Sequence, residues 1–235
     1  MVLTIFKYAL RRGFWNPISL SINCALPLAV LLFGGRINIV NIDASPTASS
    51  YTVALFIMYG AFVMARSIQV DKLDGVIVRI LAGPITMRDY LVQNFLAAMI
   101  PMVFLSFALG VVGMIASGWH FTFALGAALC YVFLAATSIG LSFVWSCVFK
   151  NREMSSAVHG VFITMVATIG GMIIPLTLLP DAIFYLGALF PAHWAARSIG
   201  ALYEHGFSVE YWLGIAAMFL FSAAYLLYGG KRGII

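Results

Sequence analysis

The chain has 235 residues and a formal net charge of +5; 63% of its residues are hydrophobic, only 9% are charged, and its mean hydropathy is +1.03. A soluble domain is roughly 45–50% apolar and about 25% charged, so this composition excludes both an ordinary water-soluble globule and a disordered chain. A membrane helix needs about 20 apolar residues, so the length accommodates about six such helices and leaves no room for a separate soluble catalytic domain.

The N-terminal segment, residues 1–16, is predicted to form an amphipathic helix. Val2, Phe6 and Leu10 share one face, and the basic residues of the segment lie on the opposite face. Such a helix lies in the membrane interface rather than across the bilayer. It ends before Pro17, because proline has no backbone N–H and disfavours a helical conformation at the residue before it.

Six apolar stretches are predicted to cross the membrane. They are residues 18–33, 51–65, 95–115, 121–149, 158–174 and 211–228. Six crossings place both termini on the same side, and all of the 13 Lys and Arg residues except Arg36 and Arg197 lie on that side. Since basic residues concentrate in cytoplasmic loops, we predict a multi-pass protein with both termini in the cytoplasm.

No Asp or Glu falls inside any of these six stretches. Proton- and cation-coupled transporters commonly place carboxylates at membrane depth, because the coupling ion needs a charged or titratable partner there. The sequence therefore argues against a proton antiporter, although sodium coupling through backbone ligands remains compatible with it. The absence of charge also favours an amphipathic or lipophilic cargo over a highly charged one.

Residues 66–90, between the second and third spans, form the least apolar part of the chain. Leu73 and Ile80 belong to an apolar stripe at helical spacing, which predicts a short amphipathic helix on the inner membrane surface. A Gly-Pro pair ends this helix, and Thr86 with Asp89 three residues later predicts a capping box at the start of the next one. From these residues alone, the segment is either a contact surface for a partner or a basic loop that only fixes the topology.

Two motifs in the chain together resemble one family of membrane transporters. The first is an acidic stretch ending at Gly75, followed by Arg79-Ile80-Leu81, Pro84-Ile85-Thr86 and Tyr90-Leu91. The second, between the last two spans, is Pro175, Leu179-Pro180 and Pro191, followed by Trp194. With the amphipathic start and six spans, this order of parts resembles the membrane subunit of an ABC type-2 exporter over essentially the whole chain. The resemblance implies an all-α membrane protein with a single permease domain, residues 1–235.

The resemblance implies that residues 66–90 contain a cytoplasmic coupling helix, which rests in a groove of a separate P-loop ATPase. A rigid segment joined without slack to the second and third spans can pass movement of the ATPase to the membrane helices. Charged contacts would come from Asp71, Asp74, Arg79 and Arg88, with ordinary solvation as the alternative. The residues assigned to coupling are Asp71, Lys72, Asp74, Gly75, Arg79, Ile80, Leu81, Pro84, Arg88 and Tyr90.

The chain itself carries no nucleotide-binding fingerprint. It contains no G-x-x-x-x-G-K-S/T stretch, and Gly229-Gly230-Lys231-Arg232 lacks both the hydroxyl residue and the loop spacing. We therefore expect no catalytic residue, metal site or cofactor in this chain, and no nucleic-acid partner. The resemblance places ATP and Mg on the partner ATPase and implies a second permease copy, in a homodimer or a heterodimer of related subunits.

Residues 175–208, between the fifth and sixth spans, are too apolar for a free loop and too interrupted for a span. Irregular backbone at membrane depth must be buried in protein or line a cavity. The resemblance implies a re-entrant helical segment near an outer gate, whereas the prolines alone are equally typical of helix ends. The residues assigned to this gate are Pro175, Leu179, Pro180, Pro191 and Trp194.

The resemblance also implies a substrate path between the two permease copies, lined mainly by the second and fifth spans. Aromatic and methionine side chains provide an adaptable apolar surface, although most of those on these spans would face lipid or the core. The candidate lining residues are Tyr51, Met58, Tyr59, Phe62, Thr164, Met165, Thr168 and Met172.

The histidines offer a weaker, enzymatic interpretation. His159 follows Ser155 and Ser156, but no serine-protease signature accompanies them, and His193 and His205 are too far apart for a helical metal pair. The resemblance instead implies a permease of the inner or plasma membrane that exports its cargo, and the uncharged spans favour a drug, a lipid-linked compound or a hydrophobic peptide as that cargo. A stand-alone secondary transporter or channel is the second interpretation, and an intramembrane enzyme is the third.

Overall fold

The structure, a computed structural model, describes residues 6–11, 24–33, 46–149 and 151–231. Every regular element in this described part of the chain is helical, as the sequence predicted. A 3-10 turn lies at Leu176–Leu178, and residues 6–11 are also helical. The main helices are α1 (Leu26–Phe33), α2 (Pro46–Leu73), α3 (Val76–Leu81), α4 (Met87–Ser117), α5 (Phe121–Val148), α6 (Arg152–Ile169), α7 (Asp181–Gly187), α8 (Pro191–His205) and α9 (Val209–Lys231).

Within the described residues, four helices are long and apolar enough to cross a membrane, namely α2, α4, α5 and α9. They correspond to the second, third, fourth and sixth predicted spans. The helix α2 has 28 residues, and at 1.5 Å per residue it is about 42 Å long. It extends well beyond the predicted 51–65, because Gln69 and Asp71 near its C-terminal end are buried rather than exposed. Hydropathy counts such residues as loop, whereas inside the protein they form hydrogen bonds.

The helix α6 takes the place of the fifth predicted span, but the predicted bounds of 158–174 differ from the observed ones. It begins earlier because the Asn151 side chain accepts hydrogen bonds from the backbone N–H groups of Glu153 and Met154. It ends earlier because Gly171 adopts a φ of 89°, a conformation that an α-helix cannot contain. Its apolar part, Glu153–Ile169, is shorter than the four long helices.

Two other predictions fall mostly outside the described residues. For the first predicted span, residues 18–33, the structure describes only 24–33, which contain α1. For the predicted interfacial helix, residues 1–16, it describes only the helical residues 6–11.

The helix α5 forms the centre of the described bundle and packs against α2, α4, α8 and α9. In its apolar part 72% of the residues are buried, compared with 33% in α4 and 28% in α9. Polar contacts fix its neighbours along its N-terminal half: the Tyr131 and Ser50 hydroxyls lie 2.6 Å apart, and Tyr211 donates a hydrogen bond to the Gly126 carbonyl at 2.9 Å. The outer helices therefore pack around α5 and present much of their remaining surface to lipid.

The helices α8 and α9 pack closely at Gly214. A Cβ atom at this position would overlap the Ser198 hydroxyl and lie 2.7 Å from the Trp194 carbonyl oxygen. The Ser198 hydroxyl also donates a hydrogen bond to the Tyr211 carbonyl at 3.2 Å, which ties the two helices together at this point. Only glycine allows the two backbones to approach this closely.

We predict that Gly214→Ala lowers thermal stability in detergent, since the extra methyl group forces α8 and α9 apart at a cost of about 1–3 kcal/mol. Gly160→Ala is the matched control, because a Cβ at Gly160 has no atom within 4 Å. Both variants gain the same helix propensity, about 1 kcal/mol. Equal unfolding temperatures for the two variants would contradict this account of the α8–α9 contact.

Candidate coupling segment and transport groove

The coupling segment, residues 66–90, runs from the end of α2 to the start of α4. Between these two helices it consists of two short turns and the short helix α3. The helix α2 continues to Leu73, and the chain then breaks at Gly75, which has a φ of 67° and precedes α3. This left-handed conformation favours glycine. The predicted single helix is therefore split, because Lys72 and Leu73 lie in the last turn of α2 rather than in the short helix. The break allows α3 to run in a different direction from α2.

The two ends of the segment are joined by a buried hydrogen bond. The Tyr90 hydroxyl donates to Oδ2 of Asp71 at 2.6 Å, and both side chains are almost fully buried. The amide of Asn94 in turn donates to the Tyr90 carbonyl at 2.9 Å. A hydrogen bond to a charged acceptor is stronger than a neutral one. The end of α2 and the start of α4 are thus held together, and the segment forms a closed loop.

A second contact attaches the segment to the central helix. The Lys72 ammonium group donates to the Ser146 carbonyl, in the last turn of α5, at 3.2 Å. Carbonyls at the C-terminal end of a helix have no intrahelical partner and carry partial negative charge, so a cation is favourable there. The coupling segment therefore lies at the end of α5 that is remote from α8.

The predicted capping box is present at the start of α4. The Thr86 hydroxyl accepts a hydrogen bond from the Asp89 backbone N–H at 3.2 Å, and the Asp89 carboxylate accepts from the Thr86 N–H at 3.3 Å. Two backbone N–H groups at the start of α4, those of Thr86 and Asp89, therefore have hydrogen-bond partners within the capping box. As a result the direction of α4 is set immediately after the segment.

Burial divides the ten residues that the sequence assigned to coupling. Four are exposed, four are half-buried, and two are buried. The exposed residues are Asp74, Arg79, Pro84 and Arg88; the half-buried ones are Lys72, Gly75, Ile80 and Leu81; the buried ones are Asp71 and Tyr90. The last two hold the segment closed from inside. The exposed surface combines both signs of charge with the apolar side chain of Val78, which is 61% exposed.

A groove of about 610 Å³ runs along the face where α2 and α6 meet. Of the eight residues that the sequence assigned to the substrate path, four line this groove, and none of its described lining residues is charged. The lining residues are Tyr59, Gly160, Val161, Thr164, Met165, Thr168 and Ile169. Sequence reasoning missed Gly160, Val161 and Ile169, although Gly160 shares the four-residue spacing of Thr164 and Thr168 and so lies on the same helix face.

The other four predicted path residues lie elsewhere. Met58 is buried in the core, and Phe62 is stacked on the His159 ring with their centroids 3.4 Å apart. Met172 is buried beyond the end of α6. Tyr51 is half-buried, and its hydroxyl points towards Gly200 on α8. A Cβ atom added at Gly200 would lie 3.2 Å from the Tyr51 hydroxyl oxygen.

Three hydroxyl groups form a polar track in the otherwise apolar groove. The Tyr59 and Thr164 hydroxyls lie 2.8 and 3.0 Å from the Gly160 carbonyl oxygen and 2.5 Å from each other, so one hydroxyl donates to the carbonyl and the other donates either to the carbonyl or to its neighbour. The Thr168 hydroxyl donates to the Thr164 carbonyl at 2.8 Å. Because these donors point at the backbone, the oxygen lone pairs are what the track offers to a ligand. The groove suits a largely apolar molecule with a few hydrogen-bonding groups.

The segment between α6 and α9 contains the residues that the sequence assigned to an outer gate. Pro175 and Pro180 immediately precede the 3-10 turn and α7, and Pro191 is the first residue of α8. The prolines therefore stand at helix starts, where the missing N–H costs nothing. Leu179 ends the 3-10 turn, and Trp194 donates its indole N–H to the Ala188 carbonyl at 2.8 Å, which ties α8 to the end of α7.

The packing in this outer segment is tight around His193. Its ring is fully buried and makes a T-shaped contact with the Phe184 ring, with the centroids 4.9 Å apart. Added Cβ atoms at Gly170 and Gly187 would lie within 3.0 Å of His193 atoms. Burial, together with the nearby Arg197, lowers the pKa of His193 and so favours the neutral ring.

The serine and histidine of the enzymatic interpretation do not pair with each other. The Ser155 hydroxyl donates to the Gln69 side chain at 3.1 Å. Neither ring nitrogen of His159 has a hydrogen-bond partner among the described residues. The structure therefore provides no serine–histidine hydrogen bond at this point.

We predict that Tyr90→Phe destabilises the protein by about 1.5–3 kcal/mol, because it removes a buried hydrogen bond to a carboxylate. The expected observation is a lower unfolding temperature in detergent. Tyr185→Phe is the matched control, since Tyr185 is 73% exposed. If both variants unfolded at the wild-type temperature, Asp71 and Tyr90 would not be what closes the segment.

The sequence matches one known family of membrane proteins. The profile of the family described as ABC-2 family transporter protein matches residues 32–230, which include α2 and everything described after it except Lys231. A comparison with curated protein sequences gave no significant match. Members of this family are membrane transport subunits that work with an ATP-binding cassette subunit. The chain is therefore a member of the ABC-2 family of transporter proteins, a multi-pass membrane permease.

Proposed function

We propose that this chain is the permease subunit of an ATP-driven exporter and that a separate cytoplasmic ATPase supplies the energy. The observation that carries the proposal is the closed coupling segment. Its exposed side presents Asp74, Arg79 and Arg88, and its inner side is fixed to α2, α4 and α5 through Asp71 and Lys72. A segment with a charged outer surface and fixed inner contacts can bind a partner and pass the partner's movement to the membrane helices as a rigid body.

The proposed topology has six spans. The stretch at 18–33 and the helix α6 add two spans to the four long helices, residues 1–16 lie in the inner interface, and both termini are cytoplasmic. The charge distribution supports this orientation, because nearly all Lys and Arg residues then lie on the cytoplasmic side of the inner or plasma membrane. Residues 175–208 form an outer re-entrant gate, supported by the shortness of α7 and α8, which have seven and 15 residues.

A second permease copy completes the proposed transporter, as a homodimer or as a heterodimer of related subunits. The support comes from the outward face of α6, where Met154 in the first turn and the groove residues Val161 and Met165 are more than half exposed. In a dimer that pairs these faces, the groove becomes a path enclosed between two copies. ATP and Mg bind to the partner ATPase in this scheme.

The proposed cargo is amphipathic or lipophilic, such as a drug, a lipid-linked compound or a hydrophobic peptide. The groove supports this choice, because its lining is apolar except for the hydroxyls of Tyr59, Thr164 and Thr168. An anion would find no cationic side chain among these lining residues. A molecule with an apolar body and a few hydrogen-bond donors would pack against the apolar lining and donate hydrogen bonds to the hydroxyl track.

We expect Arg79→Glu to abolish co-purification of the ATPase, because it reverses a charge on the exposed side of the segment without touching its inner contacts. The measurement is a native pull-down in mild detergent, with mass spectrometry and an ATP hydrolysis assay on the eluate. Asp181→Lys is the control, since it also reverses an exposed charge but lies on α7, in the segment between α6 and α9. A wild-type chain that transports under an ion gradient without any ATPase would instead support a secondary transporter or channel.

We also expect Thr164→Val and Thr168→Val to weaken stimulation of ATP hydrolysis by an amphipathic fluorescent dye, while basal hydrolysis stays unchanged. Each substitution keeps the volume and removes a hydroxyl worth about 0.5–1.5 kcal/mol, so the concentration for half-stimulation should rise roughly two- to tenfold. Thr52→Val is the control, because the Thr52 hydroxyl bonds within α2 to the Ala48 carbonyl. An unchanged dye response in both variants would argue against the groove as the path.

A further inference from the structure

The helices α2 and α6 run antiparallel and meet along one line of contacts, here called the α2–α6 seam. From the coupling segment towards the groove, Gln69 bonds Ser155, Phe62 stacks on His159, and Tyr59 bonds Gly160. Along the seam the residue numbers decrease on α2 and increase on α6, as expected for two antiparallel helices. The seam therefore connects the cytoplasmic end of α2 to the hydroxyl track.

Ser155 joins three helices at the start of this seam. Its hydroxyl donates to Oε1 of Gln69 on α2 at 3.1 Å, and its carbonyl accepts from the indole N–H of Trp145 on α5 at 3.2 Å. Gln69 and Ser155 are both 1% exposed or less. A buried polar pair of this kind resists separation, because each group would otherwise lose its partner away from water.

Much of the helix α6 surface faces away from the bundle. The elements that it contacts most extensively are α2, α7 and α8, while Met154, Val161 and Met165 point outward. Towards the cytoplasmic end, α6 contacts α2 along the seam and also contacts Trp145 of α5, whose ring centroid lies 4.9 Å from that of His159 and 5.1 Å from that of Phe162. The seam is the direct contact through which a displacement of α2 at the coupling segment reaches α6.

We propose that Gln69 and Ser155 are positioning residues that transmit movement of the coupling segment to α6 and so to the groove. The inference rests on the proposed function. Gln69 lies two residues before Asp71 in the same continuous helix, so the two move as one body with the closed segment. Ser155 passes that movement to the helix that carries Thr164 and Thr168.

The test places fluorescent reporters, introduced as unnatural amino acids, at Val78 on the segment and at Val161 on α6. Both side chains are more than 60% exposed. The sample is the chain with its co-purifying ATPase in lipid nanodiscs, compared without nucleotide and with Mg-ATP and vanadate. The variants are Ser155→Ala and Gln69→Leu, which remove the bond, and Ser155→Thr, which keeps the hydroxyl. Ser67→Ala is the matched control, because its hydroxyl donates to the Met64 carbonyl within α2 itself.

In the wild type and in Ser67→Ala, both reporters should respond to nucleotide. In Ser155→Ala and Gln69→Leu, the Val78 reporter should still respond while the Val161 response is lost, and transport per ATP hydrolysed should fall roughly fivefold. Ser155→Thr should restore the Val161 response. Basal ATP hydrolysis should stay at the wild-type rate, which separates lost transmission from lost folding.

Two results would overturn the inference, and they can be told apart. A full Val161 response in both bond-removing variants, with a normal Val78 response, would refute the role of the seam and leave the proposed function intact. A wild-type Val78 reporter that ignores nucleotide would refute the proposed function, and the seam's role would fall with it.

Discussion

Hydrocarbon cannot form hydrogen bonds with a peptide group or a hydroxyl, and this constraint determines most of the structure. Every regular element of the described chain is a helix, because a helix satisfies its own backbone. Buried hydroxyls follow the same rule: Ser138, Ser142 and Ser146 each donate to the carbonyl four residues earlier in α5. These bonds remove the polarity of the serines, so the small side chains can lie at helix contacts.

Three of the hydrogen bonds between helices fix the geometry of the coupling segment, the seam and the groove. Asp71 with Tyr90 closes the coupling segment, Gln69 with Ser155 ties α2 to α6, and Tyr59 meets the Gly160 carbonyl in the groove. All three bonds start from α2. This helix therefore connects the coupling segment, the seam and the groove, while α5 provides the packed centre against which it is held.

Much of this architecture could be predicted from the sequence, since long apolar stretches and local signals act through neighbouring residues. The four long helices and the capping box of Thr86 and Asp89 are of this kind. The ends of α2 and α6 were harder to predict, because hydropathy assigns a polar residue such as Gln69 to a loop. Its burial depends on Ser155, which lies 86 positions away in the chain.

The candidate site was predictable to a similar degree. The four groove residues that were found share one face of α6 or lie opposite it on α2, and helical spacing contains that information. Phe62 and Met58 are also an aromatic residue and a methionine, and they lie on α2 like Tyr59, but their side chains face the core. The packing of α5 and α6 against α2 determines which face of α2 is buried, and this packing cannot be derived from a single sequence.

The closed coupling segment separates two sets of side chains. Asp71 and Tyr90 face inward and determine its shape, while Arg79 and Arg88 face outward and take no part in holding it together. The outer set can therefore change during evolution without altering the membrane helices, and the inner set can be retained while the partner changes. Under the proposed function, the segment would therefore be an exchangeable adaptor for protein engineering: substitutions in the outer set would change which ATPase it binds, and the internal architecture would stay the same.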